Sequence, residues 1–117
     1  MSEIIAVDIG TSRIKTARFD EDGNMTALHS HRLDRAASPE TQNAEQWFDV
    51  TAELLRKLTA ENAAPVDAVA LTGNMHALLG IDAHGEPVAP AVLWSDNSAR
   101  EEVLSSFLPG LSAVDHR

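Results

Sequence analysis

Apolar positions fall along the chain in two rhythms. Near the start, Ile4, Ile5, Ala6, Val7 and Ile9 make an almost unbroken run, the pattern of a strand buried on both faces. After a short turn, Ile14, Ala17 and Phe19 are interleaved with Lys15, Thr16 and Arg18, which predicts a half-covered strand. Asp20-Glu21-Asp22-Gly23-Asn24 predicts a turn in which Gly23 supplies a positive φ. Residues 25–32 predict a third strand with Met25, Ala27 and His29 on one side. Three short strands joined by tight turns make an antiparallel meander.

Residues 33–41 read as a loop punctuated by Pro39, with Ser38, Thr41 and Asn43 as candidate helix caps. The period then becomes helical. Trp47, Val50, Thr51, Leu54, Leu55 and Leu58 recur at spacings of three and four, one apolar stripe over residues 44–61. Glu45 near its start and Arg56 and Lys57 near its end suit the helix dipole. Beyond Pro65, residues 66–72 form a second nearly continuous apolar run, the kind that sits centrally in a sheet. A helix between two such strands predicts a parallel crossover. Ligands in such sheets gather at the carboxyl ends of parallel strands. Asp8-Ile9-Gly10 and Thr72-Gly73-Asn74-Met75-His76 are therefore expected on one edge.

Residues 78–82 and 88–94 predict a hairpin closed by residues 83–86, with Pro87 and Pro90 favouring an edge or irregular connection. Asp96, Asn97 and Ser98 are candidate caps for a helix over residues 99–108, stopped by Pro109 and Gly110. The predicted class is α/β: a mixed sheet with an antiparallel three-strand meander, a parallel strand and flanking helices.

Composition narrows the partners. A chain of 117 residues with 44% hydrophobic and 23% charged content is ordinary for one globular domain or a piece of one. The formal net charge of −9 argues against nucleic acid or an anionic membrane as a general partner. It leaves room for an anionic substrate held by a local clamp. There is no cysteine, which removes disulfides and thiolate metal sites. With no basic leader before an apolar stretch and no bilayer-length run, the expected location is cytoplasmic.

The chemistry concentrates in the first turn. Gly10 lets backbone approach a ligand closely, and the amides and hydroxyls of Thr11 and Ser12 can donate to phosphate oxygens. Asp8, at a strand end, suits a hydrated magnesium ion, and Lys15 brings positive charge toward a phosphate. The same residues also suit a plain tight turn, which needs glycine for backbone reasons alone. His29 and His31, two apart on one strand, can share a metal or simply face solvent.

Several segments in order resemble the FGGY carbohydrate kinases, most closely the xylulokinase and gluconate-kinase-like members. They are Asp8-Ile9-Gly10-Thr11-Ser12 with Lys15, then Glu45-Gln46-Trp47, then Gly73-Asn74-Met75-His76-Ala77. Asp82-Ala83-His84-Gly85-Glu86-Pro87 and Pro90-Ala91-Val92-Leu93-Trp94-Ser95-Asp96 complete the set, which runs to about Arg100. The resemblance implies an actin-like, ribonuclease-H-like ATPase fold, two such domains flanking a cleft with sugar deep inside and ATP beyond it. Asp8 then matches the family's magnesium-associated aspartate, Gly10, Thr11 and Ser12 its first phosphate loop, and Lys15 its basic residue near the transferred phosphoryl group. Met75 and His76 match the pair that contacts sugar hydroxyls, and Trp94 with Asp96 a segment lining the same pocket. Asn74, His76 and Asp96 can donate to or accept from a sugar, and Trp94 can wall its carbon face. His76 also suits a structural histidine, and Trp94 ordinary core packing.

Two residues depart from the pattern: Asn74 stands where glutamine or a small residue is usual, and Ser98 where many members carry arginine, which alters a bidentate donor position. The family's catalytic aspartate and adenosine-binding half are expected beyond Arg117, so residues 1–117 are expected to be the N-terminal part of a first domain, inactive alone. The implied activity is ATP- and Mg2+-dependent phosphorylation of a sugar, a ketopentose such as xylulose first, gluconate or another sugar acid or polyol second. An actin-like ATPase without a sugar, or a non-catalytic sugar-binding or interaction module, are the rival readings. Homo-oligomerisation is expected if the second parallel strand is left uncovered.

Overall fold

The computed structural model describes residues 2–34 and 40–97. In chain order the elements are β1 (Ile4–Ile9), β2 (Arg13–Phe19), β3 (Met25–Arg32), β4 (Thr41–Gln42), α1 (Ala44–Glu61), β5 (Ala68–Gly73) and β6 (Ala91–Val92). Strands β3, β2, β1 and β5 form one sheet in that order, antiparallel except for β5, which runs parallel to β1. The meander, the helix and the parallel crossover are thus as the periodicity predicts. The expected helix over residues 99–108, with Ser98, lies outside the described residues.

Register explains what each face does. On the side facing α1 lie Ile5 and Val7 of β1 with Ile14, Thr16 and Arg18 of β2. Ile5, Val7, Ile14, Leu33, Val50, Leu54 and Leu58 form the buried core, with Trp47, Leu55 and Val66 packed against it. Across the opposite face, Ile4, Phe19, Met25 and Ala68 form one row and Ala6, Ala17, Leu28 and Ala70 the next. Ser30, Lys15, Asp8 and Thr72 then make a polar row at the carboxyl end of β1. Ile4, Met25 and Leu28 are exposed.

Several sequence expectations are corrected by this geometry. The continuous apolar run of β1 buries Ile5 and Val7 only, and β5 is an edge strand with all six residues exposed. The helix reaches over β2 and β3 and leaves Val69 and Leu71, beyond β1 on the same side, uncovered. In β2 the inward residues are Ile14, Thr16 and Arg18, so the alternation is shifted by one after Ile14. Thr41, expected in a loop, and Gln42 beside it pair with Val92 and Ala91 as β4–β6. The 78–94 hairpin is reduced to the bridges Leu78↔Val92 and Ile81↔Pro87, because proline lacks the amide a ladder needs.

Arg18 is the residue whose burial the pattern hid. It is 1% exposed and its Nε donates to Glu3 Oε2. Its other nitrogens donate to the carbonyl oxygens of Leu58 (3.2 Å), Asn62 (2.8 Å) and Ala64 (2.5 Å). Leu58 lies in the last turn of α1 and Asn62 is its C-cap, at the negative end of the helix dipole, which attracts a cation; Ala64 follows two residues on. α1 has no basic residue in its own last turn. Arg56 and Lys57 stop short of it, so the complementary charge comes from β2. At the other end, Asn43 caps the helix, its Oδ1 accepting from Glu45 N at 3.0 Å.

Two turns share one construction. Asp20 Oδ1 accepts from the amides of Asp22 and Asn24 at 3.0 and 2.9 Å, and Gly23 has φ +81°. Asp82 Oδ1 likewise accepts from His84 and Glu86, with Gly85 at φ +81°. The Asn24 amide and side chain hold the Asp20 carboxyl below its ordinary value of 3.8.

Two outcomes are expected. Arg18→Ala leaves Glu3 buried without its partner and three carbonyls without theirs, and should lower the unfolding free energy in urea by about 3–5 kcal/mol. A loss comparable to an exposed arginine's would contradict the clamp. Because the folded pKa of Asp20 lies below the unfolded one, its contribution is present above the unfolded pKa and lost as pH falls through the folded value. The stability lead of the native chain over Asp20→Ala should therefore shrink as pH falls from about 5 through the unfolded carboxylate range and below it, in urea titrations at each pH; a constant lead would contradict it.

Candidate functional site

The parallel register puts Asp8 opposite Thr72 and Ile9 opposite Gly73, so both strands deliver their exit loops to the same rim. A cavity of about 400 Å³ opens there, lined by Asp8, Ile9, Gly10, Gly73, Asn74, Met75, His76 and Trp94. That size lies within the range of small-molecule sites. Larger cavities of about 420 and 580 Å³ lie between the start of α1 and residues 79–90. Their walls include Phe48, Ile81, Pro87 and Val88 and take nothing from the strand ends, so the rim cavity is the better candidate.

The two sides of the rim differ in chemistry. On the β1 side, the Asp8 carboxylate is exposed, with Lys15 beside it in register on β2. Among the described residues neither forms an ion pair, which leaves the carboxylate available to a hard cation. Thr11 and Ser12 expose their side chains beside Gly10. Their carbonyls are tied inward, Ser12 O accepting from Leu33 N at 2.8 Å and Thr11 O from Gln42 Nε2. Thr11, Ser12 and Lys15 adjoin the cavity and do not line it.

Of the two reasons for Gly10 that its sequence context suggests, the structure bears out the tight turn's own backbone. Its amide donates to Arg13 O at 2.9 Å, and a Cβ would stand 2.8 Å from that oxygen. The space a side chain would need is therefore taken by the turn's own backbone.

On the β5 side, Asn74 is half-buried and its Nδ2 donates to Gln42 Oε1 at 3.3 Å. His76 is exposed and has φ +57°, a left-handed conformation uncommon outside glycine and concentrated at functional sites. Met75 and Trp94 are 73% and 69% exposed, so Trp94 is a cavity wall and not core. Asp96 is placed apart from the wall; its amide closes a turn onto Leu93 O at 3.0 Å. His29 turns to the helix side, with Nε2 2.8 Å from Glu61 Oε2. Among the described residues no group of three metal-ligating side chains forms, and none of the helices is long and apolar enough to cross a membrane.

Gln42 was not singled out by the sequence. A lone glutamine before a helix cap carries no signal of its own, and only the tertiary structure brings Thr11 and Asn74 to it.

The model for the N-terminal domain of the FGGY family of carbohydrate kinases matches residues 3–106. The chain belongs to that family. It is 32% identical over 108 residues to the xylulose kinase of Staphylococcus xylosus, covering 88% of this chain and 22% of that protein. With the xylulose kinase of Streptomyces rubiginosus it shares 35% over 96 residues, covering 80% and 20%. The chain thus spans about a fifth of the length of these relatives. A ligand-bound xylulose kinase and a gluconate kinase from Lactobacillus acidophilus superpose with TM-scores of 0.80 and 0.79, each at 24% identity. They cover 90% and 89% of this chain and 22% of each of those chains. The described residues therefore share the actin-like fold of these kinases.

The turn geometry makes a prediction. Gly10→Ala should cost about 1–3 kcal/mol in urea unfolding, as an overpacked site does. At Gly73 an added Cβ would meet Ile9 Cβ at an ordinary 3.5 Å, so Gly73→Ala should cost less. Equal stability of the two variants would contradict the stated role of Gly10.

Proposed function

We propose that this chain is the N-terminal part of the first domain of an ATP-dependent sugar kinase, and that the rim cavity is its sugar site meeting its phosphate site. The observation that carries the reading is the convergence of Asp8 and Gly10 with Asn74, Met75 and His76 on one cavity. Xylulose is the first candidate substrate, on the names of the curated relatives; gluconate is second, on the gluconate kinase neighbour.

Each residue has a part that its chemistry allows. His76 and Asn74 hydrogen-bond sugar hydroxyls, and the Trp94 ring covers an apolar sugar face. The amides and hydroxyls of Thr11 and Ser12, with the Lys15 ammonium, orient phosphoryl oxygens. Asp8 would hold Mg2+, which prefers one or two carboxylates plus water and phosphate; bound there, the ion would offset charge on the phosphates. Its exposed carboxylate, without an ion pair among the described residues, fits that requirement. Phosphoryl transfer depends on such positioning and charge stabilisation. The base that deprotonates the attacking hydroxyl belongs to the remainder of the proposed kinase.

The test is Asp8→Ala and His76→Ala in that longer kinase, assayed by sugar-dependent ADP formation and by calorimetric sugar binding. Asp8→Ala should lower kcat by about 100-fold or more with sugar affinity within about threefold. His76→Ala should weaken sugar affinity about tenfold. Unchanged turnover in Asp8→Ala rejects the metal role, and ATP hydrolysis indifferent to sugar rejects the kinase.

A further inference from the structure

Gln42 is 7% exposed, and its side chain has partners on three separate segments. Nε2 donates to Thr11 O in the β1–β2 turn. Oε1 accepts from Trp47 Nε1 at 2.8 Å in the first turn of α1 and from Asn74 Nδ2 at 3.3 Å at the exit of β5. Its backbone lies in β4, opposite Ala91 of β6, the strand that leads to Trp94. Every segment that contributes to the rim cavity therefore meets at this one residue.

We propose that Gln42 is a positioning residue that sets the separation between the phosphate-side turn and the sugar-side loop; the proposal rests on the kinase reading of the cavity. An amide is suited to this place for a specific reason. A peptide carbonyl only accepts and an indole N–H only donates. Thr11 O by itself therefore fixes which end of the Gln42 amide faces the turn, and Trp47 Nε1 shares the oxygen left at the other end. With the amide so oriented, the oxygen's second lone pair is directed to Asn74. The phosphate turn and the sugar loop are thereby joined through one rigid planar group. Misplacing reacting groups by about 1 Å costs on the order of 100-fold in rate, so a joint of this kind acts on turnover.

Two substitutions separate the joint's halves. Gln42→Glu keeps the size and the acceptor for Trp47 and Asn74 but loses the donor to Thr11 O. Gln42→Met keeps approximate volume and loses both. Trp47→Phe, which removes the indole donor and leaves the turn-to-loop link, is the control. The first readout is amide hydrogen exchange on the 117-residue chain. Gly10 N and Leu33 N, whose bonds to Arg13 O and Ser12 O hold the turn, should exchange about tenfold faster in both Gln42 variants. The β1–β5 ladder should be unchanged in these variants, and the turn unchanged in Trp47→Phe. The second readout is steady-state kinetics of the longer kinase. There kcat should fall about tenfold or more in Gln42→Glu, with KM for sugar and ATP within about threefold, and stay within twofold in Trp47→Phe.

Turn amides that exchange at the native rate overturn the proposal. So does acceleration spread evenly over the chain, or a global loss of structure in both Gln42 variants, since each points to a purely structural role. A change in KM alone overturns it as well. If Gln42→Met does not fold, Gln42→Glu carries the decision. A longer protein with no sugar-dependent ADP formation, beside faster exchange at Gly10 and Leu33, removes the kinase reading and leaves the tether standing.

Discussion

The parallel register of β5 on β1 is the constraint on which the site depends. It is set at the end of the sheet remote from the cavity. Glu3 N donates to Asp67 Oδ2 at 3.0 Å, and Asp67 N donates to Glu3 O at 2.9 Å. This reciprocal pair immediately precedes the first ladder pair, Ile4↔Ala68. The Glu3 side chain also receives Arg18, which in turn gathers the carbonyls of Leu58, Asn62 and Ala64 where the helix ends. One cation thus fixes where the crossover leaves the helix and where β5 begins. Five residues on, roughly 17 Å along the strands, the consequence appears as Asp8 beside Thr72. A register slip of one residue would turn every β5 side chain to the other face and separate Asp8 from the loop that carries His76.

The parts of this that were legible in the sequence are those governed by local rules. The helix runs over Ala44–Glu61 and starts at the Asn43 cap because periodicity and capping are properties of a short window. The tight turn at Gly23 follows from glycine's freedom at positive φ. The meeting of Gly10 and His76 on one rim follows from the crossover topology alone. What stayed hidden was tertiary. Arg18 reads as a solvent-facing charge because its compensation is Glu3, 15 residues away, together with a set of backbone carbonyls, which have no sequence signature. Gln42 was obscure for the same reason, with partners 31 and 32 residues away. Gly10 was legible as an essential glycine, but the obstacle to a side chain is Arg13 O.

The apolar character of β1 and β5 exceeds what the described residues cover. α1 lies over β2 and β3 and seals Ile5 and Val7, while Val69 and Leu71 remain exposed at the same side. The opposite face carries alanines at Ala6, Ala17 and Ala70, small residues that let a packed element approach closely. Such strands are built to be covered on both faces. That composition makes the polar row of Ser30, Lys15, Asp8 and Thr72 informative. On a face otherwise composed of apolar residues, four polar side chains in register at one end mark where apolar packing stops and water or ligand begins.

The choice of a neutral connector beneath that row follows from electrostatics. The turn that we read as a phosphate clamp must favour negative charge, and Asp8 already places one carboxylate at its edge. A single charged side chain joining turn to loop in place of Gln42 would add a charge whose desolvation cost is large and whose field would act on the same site. A carboxamide makes the three bonds without a net charge, and its planar geometry transmits position better than a flexible side chain would. The chain uses charge where the partners are helix carbonyls at the far end of the sheet, through Arg18, and an amide where the partners border the chemistry, through Gln42. Each is a buried polar group that ties separate segments together, Arg18 through Glu3 and three main-chain carbonyls and Gln42 through one main-chain carbonyl and two side-chain donors, and the sign of the nearby functional charge decides which group is tolerated.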